Sequence, residues 1–344
     1  MSGPGAHALF QTPEWLPLTL DANAGAALFV PLDERAYHSA SFLDERILTP
    51  ETRRQWIGMR EVAAHLPGHA RQDAHYILHI GHVGSTLIAR LLGERRDIFS
   101  VREPAVLRGL ADLHRMAGEP EAPQSPVTVD HWFRLFRPLH ARTFRPEQQA
   151  LVKVTSFASE IAPRLCAPDA KRLLLWVDAE TYLRTILAGE GSRGESAALA
   201  GARLRRLHHR LGGAGWKLWE MSEGQRIAMS WASEMLSLAD AADHGLWLSF
   251  DAFLAAPAQS LVRIGAHLGR PIPPPEAAAL VAGPLMQRYS KAPEHGYSAD
   301  LRRQLLMQAG TAHGAAIRAG LAWLEGAAAQ HPRIADALAR PAGG

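Results

Sequence analysis

The sequence predicts an α/β protein with a mostly parallel five-stranded sheet covered by helices on both faces. Short apolar segments alternate with helical stretches, the pattern of parallel strands joined by crossover helices. The strand segments carry few polar residues, as expected for strands buried on both faces. With 344 residues and 47% apolar composition, the chain can fill a sizeable core. We therefore expect a three-layer α/β/α arrangement.

The predicted core strands are short runs rich in β-branched or bulky apolar residues: 76–80, 98–101, 151–154, 173–177 and 246–250. Residues 1–70 are predicted to be an N-terminal extension packing on the core, and residues 71–344 the α/β domain. Within the extension, residues 28–32 are a candidate strand. Pro50 is expected to begin a helix with Trp56 and Met59 on one face.

Composition narrows the function classes. The net charge of +3, from 37 Lys+Arg against 34 Asp+Glu, does not favour a nucleic-acid partner. No apolar run is long enough for a membrane span, and the N-terminus lacks the layout of a signal peptide. The single cysteine, Cys166, fits a reducing compartment, so we expect a cytoplasmic protein. Whether it forms a homo-oligomer is left open.

The most informative segment is the turn Gly81-His82-Val83-Gly84-Ser85-Thr86, between the first core strand and an apolar helix pattern. A strand, a glycine turn and a helix start form an anion site, because free backbone N–H groups and the helix dipole converge there. The lysine of the nucleotide-hydrolase loop is absent; Ser85 takes its position. Taken alone, the turn is equally consistent with glycines that only permit a tight strand-to-helix connection.

The surrounding sequence resembles the bacterial sulfotransferase family. The run 84–92 (GSTLIARLL) resembles the end of that family's 5′-phosphosulfate loop. Three later segments resemble further family motifs in the family's order: 100–107, 248–257 and 288–295. The resemblance implies a P-loop nucleotide-hydrolase-like sulfotransferase fold. It also implies 3′-phosphoadenosine 5′-phosphosulfate as sulfuryl donor, no metal, and a small-molecule acceptor.

The resemblance also implies which residues bind the donor. The loop residues Gly81, His82, Val83, Gly84, Ser85 and Thr86 would hold the 5′-phosphosulfate. Thr185, with Arg184 beside it, would take the 3′-phosphate, and Ser290 and Lys291 would contact donor phosphate. The sequence departs from the family at two positions: His82 replaces the loop's Lys or Arg, and Val177 replaces an arginine after the fourth strand.

Three residues are candidates for the chemistry. Glu103, at the second strand's end, would accept the proton of the acceptor; the alternatives are a surface glutamate or an ion pair with Arg102. Because Pro104 forces an extended chain, Glu103 should point off the strand end. Lys153, in an apolar strand, would stabilise transition-state charge or pair with Glu103. His82, if protonated, would stabilise the leaving oxygen; otherwise it bonds a backbone carbonyl.

Two other functions remain open. Asp178 follows an apolar strand, as a magnesium ligand does in nucleotide-dependent phosphotransferases, although the missing loop lysine argues against that class. A non-catalytic binding protein that keeps the fold is also consistent with the changes at His82 and Val177. The basic run 203–210 is interpreted as a solvated helix face, with a segment covering the ligand as the alternative.

Overall fold

The computed structural model describes residues 9–287 and 298–341. Eight strands are formed within these ranges: β1 (Trp15–Asp21), β2 (Ala26–Pro31), β3 (Gln55–Gly58), β4 (His75–His79), β5 (Ile98–Arg102), β6 (Gln149–Lys153), β7 (Arg172–Trp176) and β8 (Gly245–Ser249).

The helices up to the last strand are α1 (Glu34–Ser39), α2 (Met59–Ala64), α3 (Ser85–Gly93), α4 (Val106–Met116), α5 (Pro126–Ala141), α6 (Ala162–Leu165), α7 (Ala179–Leu187), α8 (Glu190–Leu211) and α9 (Glu223–Asp240). Those after it are α10 (Phe250–Ala255), α11 (Pro257–His267), α12 (Pro274–Ala282), α13 (Ala299–Ala312), α14 (Gly314–Gln330) and α15 (Pro332–Leu338). A 3-10 helix, Ser156–Ile161, follows β6.

The central sheet has five parallel strands in the order β5-β6-β4-β7-β8 and is flanked by helices, which confirms the predicted fold class. Tyr76 of β4 pairs with Val152 of β6 on one side and with Arg172 of β7 on the other. In a parallel sheet all carboxyl ends lie at one edge, where ligands bind in open α/β folds. This edge carries the glycine turn after β4 and the residues that follow β5, β6, β7 and β8.

The N-terminal residues form a separate antiparallel sheet in the order β1-β2-β3. The expected strand at 28–32 is present as β2. The expected helix from Pro50 through Met59 is wrong, because Gln55–Gly58 is a strand in which Trp56 pairs with Leu28. Here tertiary strand pairing outweighs the helical spacing of apolar residues, and the helix begins only at Met59.

Two buried arginines tie this N-terminal part to the core. Arg102, at the end of β5, donates to the carbonyl oxygens of Tyr37, His38 and Ala40 around α1. Arg142, after α5, donates to the carbonyl of Trp15 at 3.1 Å and to others nearby. Burial lowers the pKa of each to about 10, so both stay protonated at neutral pH.

The basic run 203–210 lies in α8, where it packs against the parallel helix α9. Arg203 and Arg206 are buried and donate to Glu234 of α9 at 2.8 and 2.7 Å, and Arg210 donates to Asp240 at 2.7 Å. Arg203 and Arg206 are therefore not part of a solvated face, whereas Arg205 and His209 in the same run are exposed. A buried carboxylate on the next helix holds Arg203 and Arg206, which the local charge pattern could not indicate.

Candidate functional site

The turn between β4 and α3 is held in left-handed backbone conformations. Gly81, His82 and Gly84 have φ values of 87°, 55° and 66°. A Cβ at Gly84 would lie 2.5 Å from Cδ2 of Phe250 and still closer to two other ring atoms. Both the backbone conformation and the close approach to Phe250 therefore require glycine at position 84.

The helix that follows the turn begins with two buried hydroxyl residues, Ser85 and Thr86. Thr86 is 3% exposed, and within residues 9–287 and 298–341 its buried hydroxyl oxygen has no hydrogen-bond partner. Ser156, after β6, lies against the turn, with its hydroxyl oxygen 3.3 Å from where a Cβ of Gly81 would be. An unpartnered hydroxyl at a helix start is suited to an anion, because anions bind the free N–H groups there.

Beside the turn, Glu103 and Lys153 form a buried ion pair at the ends of β5 and β6. The Lys153 ammonium donates to Oε1 of Glu103, and the lysine side chain has no exposed surface. Oε2 of Glu103 faces the half-exposed Arg108 guanidinium at 4.0 Å. The pairing with Lys153 that the sequence left open is thus present. Because Lys153 is covered, it can orient Glu103 but does not itself face the open side of the edge.

The backbone of Glu103 is unusual. Its φ of 49° is left-handed, so the extended chain expected before Pro104 is not found. Two contacts hold it: the Glu103 N–H donates to the Lys153 carbonyl at 2.7 Å, and its carboxylate accepts from the Lys153 ammonium. The Arg102 side chain is directed instead to carbonyls around α1. Non-glycine residues in this region carry strain that commonly accompanies functional sites.

His79, the last residue of β4, joins this cluster, and the sequence analysis did not select it. Its Nδ1 accepts the Gly81 N–H at 3.0 Å, so a neutral ring carries its proton on Nε2. Nε2 lies 3.8 Å from Oε1 of Glu103. The sequence feature that could have identified His79 is a polar residue at the end of an apolar strand, the same feature that identified Lys153. His79 thus links the glycine turn to the carboxylate.

His82 projects from the turn toward α8. Its Nε2 lies 3.4 Å from Oε2 of Glu195, which is 53% exposed. This neighbour of the ring is a carboxylate from a helix later in the chain, which the sequence did not predict. The Glu195 carboxylate on α8 therefore faces the imidazole ring of His82.

The residues predicted for the second phosphate lie on α7. The Thr185 hydroxyl donates to the Thr181 carbonyl at 2.7 Å, and Arg184 donates to Glu180 at 3.0 Å. Val177 is buried, and its carbonyl accepts from the indole N–H of Trp231. The structure therefore gives Arg184 and Thr185 local partners on their own helix, one turn away.

Asp178, the candidate magnesium ligand, is the N-cap of α7 and accepts from the N–H and hydroxyl of Thr181. The carboxylate oxygens of Asp178 therefore already accept hydrogen bonds at the N-terminus of α7. Among the described residues no group of three or more His, Cys, Asp or Glu could hold a metal ion. Ser290 and Lys291 lie outside the described residues. In the same described ranges, no helix combines the length and apolarity that crossing a membrane requires.

No protein-family model matches this sequence, and no curated protein is similar to it. The solved structures that match this chain include sulfotransferases, at low identity and low TM-score. The sulfotransferase domain from the curacin biosynthetic pathway is 17% identical, with a TM-score of 0.37 over 68% of this chain and 84% of that one. The corresponding domain of the Synechococcus PCC 7002 olefin synthase is 15% identical, with a TM-score of 0.38 over 69% and 85%. A sulfotransferase from Alicyclobacillus acidocaldarius is 15% identical, with a TM-score of 0.33 over 72% and 96%.

Proposed function

We propose that this protein is a sulfotransferase that moves a sulfuryl group from 3′-phosphoadenosine 5′-phosphosulfate to a hydroxyl or amine of a small acceptor. The observation that carries the proposal is the glycine turn with the buried Thr86 hydroxyl, which has no partner among the described residues, at the same sheet edge as the Glu103 carboxylate. An anion site and a carboxylate at one sheet edge are what in-line transfer of an anionic group to a protonated nucleophile requires.

Each residue of the site has a separate role in the proposed transfer. The N–H groups of the turn and the Thr86 hydroxyl bind the phosphosulfate when the donor is present. Oε2 of Glu103 takes the acceptor proton as the new bond from acceptor to sulfur forms and the bond from sulfur to the bridging oxygen breaks. Adenosine 3′,5′-bisphosphate leaves with the bonding electrons, and an imidazolium at His82 stabilises its charge. Lys153 and His79 act as positioning residues, because both contact Oε1, whereas Oε2 faces the half-exposed Arg108.

The geometry favours this chemistry over magnesium-dependent phosphoryl transfer. That class needs a carboxylate free to ligate the ion and a loop lysine. Here Asp178 caps α7, and Ser85 takes the position of the lysine. The donor's anionic group would therefore be bound by the turn and by side chains, without a metal ion.

The test is isothermal titration of the protein with adenosine 3′,5′-bisphosphate, the product of the donor, with and without magnesium. ATP with magnesium is titrated in parallel. We expect the bisphosphate to bind equally well in both buffers. Thr86→Val should weaken that binding by a factor of about 10 to 150, since a hydrogen bond to a charged group contributes about 1.5–3 kcal/mol.

Thr128→Val is the matched control, because Thr128 also lies in the first turn of a helix but is half-buried, and its hydroxyl is paired with Ser125 at the start of α5. It should bind the bisphosphate like the unmodified protein. ATP binding that requires magnesium, with no bisphosphate binding, would favour the phosphotransferase. Equal affinities of the Thr86→Val and Thr128→Val proteins would remove the turn from the donor site.

A further inference from the structure

A segment of the N-terminal extension lies along the residues that carry Glu103. The Leu43 N–H donates to the Arg102 carbonyl at 2.8 Å, and the Leu43 carbonyl accepts from the Ala105 N–H at 3.0 Å. These two hydrogen bonds fix the backbone around Leu43 beside Glu103. The end of β5 that carries the carboxylate therefore borders on residues that precede the parallel sheet in sequence.

Phe42, in this segment, forms an apolar wall next to the Glu103–Lys153 pair. Its ring centre lies 5.7 Å from the Lys153 ammonium nitrogen and 4.0 Å from the guanidinium carbon of Arg46. Arg46 is already bound to a carboxylate, because its Nε donates to Oδ1 of Asp44 at 2.8 Å and its Nη2 donates to Oδ2. The cation on the Phe42 ring therefore has its anion within the protein.

Arg108, in the first turn of α4, is a second cation at this place and is not paired in the same way. Its Nη2 lies 4.0 Å from Oε2 of Glu103, which is too far for a hydrogen bond, and its side chain is 49% exposed. In the part of the chain that the structure describes, Glu103 is the one carboxylate that lies within this distance of Arg108. A guanidinium presents five N–H donors in a fork that matches a carboxylate, so Arg108 has donors left for an anion that reaches it from solvent.

The distance between Arg108 and Glu103 limits the size of a molecule that contacts both. A hydroxyl that gives its proton to Oε2 must lie about 2.6–3.2 Å from it. A carboxylate oxygen bound to Nη2 would lie about 2.7–2.9 Å from that nitrogen. Since Oε2 and Nη2 are 4.0 Å apart, the hydroxyl and the carboxylate oxygen can be separated by at most about 10 Å. This is the span of a small hydroxy acid.

We infer that the acceptor is a small hydroxy acid whose carboxylate is bound by Arg108 while its hydroxyl reacts beside Glu103. This inference rests on the proposed function and deepens it by naming the class of acceptor. The hydroxyl oxygen forms the bond to sulfur as the bond from sulfur to the donor's bridging oxygen breaks, and its proton goes to Oε2 of Glu103. The carboxylate of the acid stays on Arg108 unchanged, so the product is the sulfate ester of the acid.

Steady-state kinetics of the full chain with radiolabelled donor test the inference. The acceptors are two pairs of nearly equal shape: 4-hydroxyphenylacetate with 4-hydroxyphenylacetamide, and 3-hydroxybutyrate with 3-hydroxybutyramide. In the pair that the protein sulfates, kcat/KM should be about tenfold or more higher for the acid than for the amide. Arg108→Gln should lower kcat/KM for the acid about tenfold, mainly by raising KM, and should change that for the amide less than about twofold.

Arg303→Gln is the control for the loss of one surface charge, since Arg303 is 70% exposed and pairs with Asp300 on its own helix, α13. It should change kcat/KM for the acid and for the amide by less than about twofold.

The comparison of acid with amide separates anion binding from positioning of Glu103. If Arg108 only held the Glu103 carboxylate in place, Arg108→Gln would lower kcat for acid and amide alike, and the inference would be overturned. Equal kcat/KM of the unmodified protein for acid and amide would overturn it too, as would equal effects of Arg108→Gln and Arg303→Gln on the acid.

Titration with adenosine 3′,5′-bisphosphate keeps this inference apart from the proposed function. Binding of the bisphosphate without transfer to either acid would leave the donor site in place and reject small hydroxy acids as acceptors. A protein that does not bind the bisphosphate would refute the proposed function, and this inference with it.

Discussion

Substitution of Gly84 by alanine tests whether the glycine turn is shaped by close packing as well as by backbone conformation. The added Cβ would meet three ring atoms of Phe250, one of them at 2.5 Å. The ring has little room to move, because Phe250 is 4% exposed, stacks on Phe253 at 6.1 Å and lies under Arg302. The alanine must therefore displace either the ring or the turn.

The expected cost is the sum of two effects. A non-glycine residue in a left-handed conformation costs about 1–2 kcal/mol. Overpacking a closed site costs about 1–3 kcal/mol more. The free energy of unfolding of Gly84→Ala should therefore fall by about 2–5 kcal/mol. Gly212→Ala, at the end of α8, is the matched control: its φ is 74°, and a Cβ there would meet nothing within 4 Å. The free energy of unfolding of Gly212→Ala should therefore fall only by the cost of the left-handed backbone conformation.

Urea unfolding followed by tryptophan fluorescence measures both variants. In a Phe250→Ala background the overpacking part should disappear, so the coupling between positions 84 and 250 should be about 1–3 kcal/mol. Equal losses for Gly84→Ala and Gly212→Ala would refute the packing argument. So would a coupling energy near zero, since it would mean that Phe250 and the turn adjust independently.

Two further predictions concern buried charges. Lys153→Met should lower the free energy of unfolding by about 3–5 kcal/mol, because it leaves the buried Glu103 carboxylate without its cation. The double variant Lys153→Met/Glu103→Gln should recover much of that stability, since it removes the carboxylate as well. An equal loss in the single and double variants would contradict this explanation. Burial, reinforced by Arg142, lowers the pKa of His140 to about 3, below its usual 6.5. The unfolded chain therefore binds the extra proton between these values, and stability falls as pH drops through that window. In urea unfolding, the unmodified protein should lose about 2 kcal/mol of its free energy of unfolding between pH 7 and pH 5 through His140. His140→Phe should abolish this loss, whereas His131→Phe, at an exposed position, should not.

The local pattern of the chain determined the fold class and the glycine turn. Buried parallel strands need continuous apolar segments, and a tight turn into a helix needs glycines at particular positions. Both features can therefore be predicted from residues that are adjacent in the sequence. The same logic identified Lys153, because a lysine within an apolar strand needs a partner. Glu103 was predicted to lie near Lys153, because the carboxyl ends of parallel strands meet at one edge of the sheet.

Contacts between distant segments were decided only by the tertiary structure. The Trp56 segment became a strand because β2 offered it pairing, and Arg203 was buried because Glu234 on another helix compensates its charge. His79 acquired its relevance in the same way, through its contact with Glu103. Side-chain distances across a fold depend on how its layers pack, and no spacing within one segment of sequence encodes them.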